Sequence, residues 1–64
     1  MEKMIEEYEN LYQLVVKRIA ALQNVIDNEP LSRREKERLE ARVEVLKEER
    51  FELVLTIHEL KQHR

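Results

Sequence analysis

The chain has 64 residues, a net charge of −2, no Cys, no Gly and a single Pro; 41% of its residues are charged and 5% aromatic. Such a chain has room for one small domain spanning 1–64, and too little material for a comfortable monomeric core, so an all-helical chain of this size usually adds oligomerisation or a partner. Disulfides, thiolate nucleophiles and thiolate metal sites are excluded, and the charge gives no overall attraction to nucleic acid or anionic membrane.

Met1 is followed by acidic residues rather than by a basic flank and an apolar run, which is not the pattern of a signal peptide. Apolar runs such as Leu53-Val54-Leu55 are far too short to span a bilayer. The expectation is a soluble, cytoplasmic protein without a membrane partner.

The first predicted element is a helix over about 2–27. Ile5, Tyr12, Ile19 and Ile26 fall at one core position of a heptad, and Met1, Tyr8, Val15 and Leu22 at the other. Met4, Leu11 and Val25 widen the stripe on one side, with Arg18 breaking the series. A stripe three positions wide suits the core of a bundle.

A turn is predicted at 28–31, because Pro30 lacks an N–H and disfavours helical geometry at Glu29. Ser32-Arg33-Arg34-Glu35 then reads as a capping box that starts a second helix, predicted over about 32–62. So short a connection makes the two helices antiparallel neighbours.

In the second helix Leu39, Leu46, Leu53 and Leu60 recur every seventh residue, with Lys36, Val43, Arg50 and Ile57 at the companion position. Folding about the turn predicts Leu22 near Lys36, Ile19 near Leu39, Val15 near Val43, Tyr12 near Leu46, Tyr8 near Arg50 and Ile5 near Leu53. Residues Leu60 to Arg64 would then overhang the start of the first helix. Arg50 has two readings: a stem that packs while its head reaches water, or a polar device, stacked on Tyr8 or paired with Glu49 or Glu9, that fixes register or oligomer state.

The second helix has more apolar residues than one seam uses. Phe51, Val54, Leu55 and His58 follow an i, i+3, i+4, i+7 pattern off the leucine row, Val45 lies nearby in the helix, and Val16, Ala20 and Leu14 are similarly surplus on the first. Contiguous apolar exposure marks an interface. Val45, Phe51, Val54, Leu55, His58, Val16 and Ala20 are therefore the candidate interface, either for a homodimer that closes a four-helix bundle or for a different protein.

Chemistry is otherwise thin. Arg33, Arg34, Arg38 and Arg42, with Lys36, concentrate positive charge at the start of the second helix and form the candidate nucleic-acid contact. Interleaved glutamates favour an ion-paired, solvated face instead, with Arg33–Glu37 and Lys36–Glu40 at i,i+4 spacing. His58 and His63 lie five apart, on different sides of a helix, and Glu59 with His63 supplies only two ligands, so no metal site is expected. Ser32 and Thr56 are the only hydroxyl residues besides the tyrosines and have no positioned base. No cofactor motif and no enzymatic site is expected.

The stretches MIEEYENLYQLVVKRIAALQNVI and LSRREKERLEARVEVLKEERFELVLTIHEL resemble short uncharacterised helical-hairpin proteins of Firmicute genomes and prophages. That resemblance implies a small accessory or regulatory protein and transfers no functional residues. The plasmid RNA-binding protein Rop is similar in size and architecture but shares no motif. The expected class is thus an all-α antiparallel hairpin that binds protein through its helix surfaces. An RNA-binding hairpin and a structural assembly spacer are the alternatives.

Overall fold

A computed structural model describes residues 2–63. It contains two α-helices, α1 over Glu2–Asn28 and α2 over Arg33–Gln62, packed side by side as a hairpin 48 Å long. At about 1.5 Å per residue, α2 alone accounts for nearly all of that length. Among the described residues no helix is long and apolar enough to cross a membrane.

The turn is made without glycine and without any residue at positive φ. The last turn of α1 is held by side chains: Gln23 Nε2 donates to Asp27 Oδ1 at 3.1 Å, and Asn28 Nδ2 donates to the Asn24 carbonyl at 2.9 Å. The Glu29 amide still donates to the Val25 carbonyl at 3.0 Å. Pro30 then stops the helix, and Ser32 (φ −69°, ψ 161°) starts the next. Its Oγ accepts from the Glu35 amide at 3.2 Å while the Ser32 amide donates to Glu35 Oε1 at 3.4 Å, so two otherwise unpartnered donors at the start of α2 are satisfied.

The seam is built from Val15, Ile19 and Ile26 of α1 against Val43 and Leu46 of α2, with Leu22, Leu39 and Leu53 packed around them; Leu46 is 1% exposed. Ile5 is buried nearer the open end. Met1 and Arg64 lie outside the described residues.

The pairing of the two helices differs from the expected one. Lys61 Nζ lies 4.0 Å from Glu9 Oε1 and flanks Glu2, Ile5 and Glu6. Tyr12 shares a groove with Val54 and Ile57, and Tyr8 shares one with Leu53 and Thr56. Helix α2 has therefore slid by more than one turn relative to the expected register, and Lys61 lies beside α1 instead of in an overhang. The heptad stripe is unchanged by such a slide, because a shift along the axis presents the same face. The connection allows it: α1 continues through Asn28, the chain bends at Glu29, and α2 starts only after the extended Ser32. Lys36, expected in the seam, is consequently exposed, and Leu39, Tyr8 and Tyr12 are only half-buried.

Arg50 is half-buried and makes no ion pair among the described residues, with either Glu49 or Glu9. Among the described residues no buried side-chain nitrogen or oxygen lacks a partner. Its guanidinium is thus in water, and the packed stem is the reading the geometry supports.

Candidate functional surfaces

With about 3.6 residues per turn, each helix presents its seam residues inward and leaves two flanks beside them. On one flank α1 carries Glu9, Gln13, Val16 and Ala20, and α2 carries Lys47, Phe51, Val54, His58 and Lys61. The structure brings part of this set together as an open groove between the helices, lined by Glu9, Tyr12, Gln13, Val54, Ile57, His58 and Lys61. Phe51 sits one turn before Val54 and is 63% exposed, bordered by Glu44, Lys47, Glu48 and Glu52. Leu55 lies farther round α2, away from α1, and is 48% exposed. Val16 is half-buried and Ala20 exposed.

His58 forms part of the groove wall, and its Nε2 lies 3.1 Å from Gln62 Nε2. An amide nitrogen can only donate, so the imidazole accepts there. His63 Nδ1 and Nε2 take no part in this; the His63 amide closes α2 by donating to the Glu59 carbonyl at 3.2 Å. Among the described residues no three His, Asp or Glu side chains converge as a metal ion would require.

Val45 is not on that flank. It precedes Glu49 by four residues and Glu52 by seven, and these two line the opposite groove with Tyr8, Leu11, Val15, Leu53 and Thr56. Closeness in sequence suggested that Val45 belongs with Phe51; the helical angle separates them across the seam. The second flank also carries Leu11, Leu14 and Met4 of α1, which are 48%, 56% and 50% exposed. Met4 and Leu11 read in the sequence as a widened core stripe, and Leu14 as surplus. Their angular position, combined with the exposure of Val45, is the signal that marks a second surface.

The basic start of α2 divides between the flanks. Arg33 Nε pairs with Glu37 Oε1 at 3.5 Å on the Phe51 side, with both side chains well exposed. Arg38 and Arg42 border a shallow apolar patch with Glu35 and Leu39 on the Val45 side, where Arg34 also falls by spacing. Lys36 and Glu40, spaced to pair, do not close to ion-pair distance among the described residues.

The class defined by these features is a two-helix hairpin with a thin seam and an apolar surface on each flank. Comparison with protein-family models, with curated proteins and with solved structures found no match.

Proposed function

We propose that this chain is a non-enzymatic protein–protein interaction module that self-associates and presents the Phe51 flank to a protein partner. The observation that carries this reading is the exposure of Phe51, Val54 and Leu55 on a helix whose seam needs none of them. Area supports it. The chain exposes 5398 Å², whereas a compact monomer of 7.8 kDa exposes about 4,400 Å². The excess, about 1,000 Å², is comparable to what each partner buries in an interface of standard size. Closing two hairpins into a four-helix bundle would remove that excess.

Open grooves between exposed helices supply no water-excluded pocket in which side chains could be held for general acid–base or nucleophilic chemistry. The nucleic-acid reading through Arg33, Arg34, Arg38 and Arg42 is weakened by the Arg33–Glu37 pair and by the acidic remainder of the chain.

The test is affinity capture from the native host with tagged wild type and Phe51→Glu chains, followed by mass spectrometry. The expected result is a protein recovered by wild type and lost with Phe51→Glu, while circular dichroism shows both chains equally helical. Identical recoveries from the two chains would contradict the reading.

A further inference from the structure

We infer that the hairpin dimerises through the Val45 flank, antiparallel to its copy, with α2 stacked on α2. The inference rests on the proposed self-association and specifies which surface it uses.

Residues Arg34, Arg38, Arg42, Val45, Glu49, Glu52, Thr56 and Glu59 are spaced four, four, three, four, three, four and three apart, so they form one stripe along α2. The stripe is divided by charge: three arginines toward the turn, three glutamates toward the open end, and Val45 between them. Within one chain this order is unfavourable. The arginines repel each other at i,i+4, Arg34 opposes the positive N-terminal end of the helix dipole, and Glu59 opposes its negative end.

None of these six charges forms an ion pair among the described residues. Among the described residues the intrachain ion pairs are Arg33–Glu37, Lys47–Glu44 and Lys61–Glu9, all away from the stripe. The ion pairs of the hairpin thus lie on the Phe51 flank or across the open end, and none falls on the Val45 stripe.

A second copy placed antiparallel satisfies the stripe. The twofold axis then lies within the interface, perpendicular to the helices, and stacks each helix on its own copy. With Val45 at the axis, Arg42 faces Glu49, Arg38 faces Glu52 and Arg34 comes within reach of Glu59, each contact made twice. The same stacking covers Val45, which is 45% exposed. In a parallel copy that kept α2 on α2, arginine would lie on arginine and glutamate on glutamate. Charge complementarity therefore selects both the surface and the direction.

Sedimentation equilibrium at tens of micromolar decides the matter with wild type, three charge variants and Phe51→Glu. Wild type should be a dimer, and both R34E/R38E/R42E and E49R/E52R/E59R should weaken it by at least about tenfold. Mixing those two variants should restore a one-to-one dimer, and placing all six changes in one chain should restore the homodimer. All six side chains are exposed, and circular dichroism on each variant confirms that the helices persist. A dimer that is lost with Phe51→Glu but kept with R34E/R38E/R42E would overturn this inference while leaving self-association in place. A monomeric wild type would overturn both. Salt-sensitive binding of a single-stranded RNA, lost with R34E/R38E/R42E, by a monomeric wild type would reassign the stripe to nucleic acid.

Discussion

Single residues on this hairpin act through three different effects. Ser32 works by satisfying backbone donors, and Ser32→Ala should lower stability by about 1 kcal/mol in urea unfolding. Leu46 works by burial. It is the least exposed residue of the seam, so Leu46→Ala should cost about 2–5 kcal/mol, enough to unfold much of so small a protein at room temperature. Lys61 and Glu9 work by charge across the open end, but both side chains are about half exposed and their atoms are 4.0 Å apart. A double-mutant cycle on that pair should give a coupling below about 1 kcal/mol. Arg50 contributes its stem, so Arg50→Met should leave stability unchanged within about 0.5 kcal/mol or raise it; a large loss would mean that the guanidinium fixes the register.

At the scale of the elements, the two helices, the turn and the capping box are legible in the sequence because each has a local cause. Heptad spacing marks both helices, Pro30 marks the break, and Ser32 with Glu35 marks the restart. The slide of α2 along α1 is not local. The leucine row repeats, so several positions along the axis bury similar residues, and the choice depends on how far α1 runs before Pro30 stops it. Placement on the flanks is half legible for a similar reason. The spacing of Phe51, Val54 and His58 puts them on one side of α2, whereas Val45, near them along the chain, lies across the seam. Leu11 read as core because the expected stripe was wide, and a thin two-helix seam has no depth to bury it. The charge order of α2 gives this scale its own prediction. In a peptide of residues 32–63, exchanging the three arginines and three glutamates of the stripe should raise helicity at low salt, since the exchanged order complements the dipole; reduced helicity would show that the wild-type order costs the helix nothing.

The whole molecule is short of core. Among the described residues only Ile5, Val15, Ile19, Ile26, Val43 and Leu46 are buried, and both flanks of the seam keep large apolar side chains in water. A hairpin in that condition gains most by association, because each apolar side chain taken from water contributes in proportion to its area. Two flanks also allow a division of labour, one surface for a second copy and the other for a different protein. If the folded state is a dimer, its melting temperature must rise with chain concentration, since association stabilises only the folded form. The most direct measurement is sedimentation equilibrium of the wild-type chain from about 1 to 100 μM, combined with thermal melts over the same range, affinities in that span being typical of modest interfaces. The account predicts a mass approaching twice the 7.8 kDa of the chain and a melting temperature that climbs with concentration. A mass of one chain throughout, with a melting temperature that does not move, would contradict it.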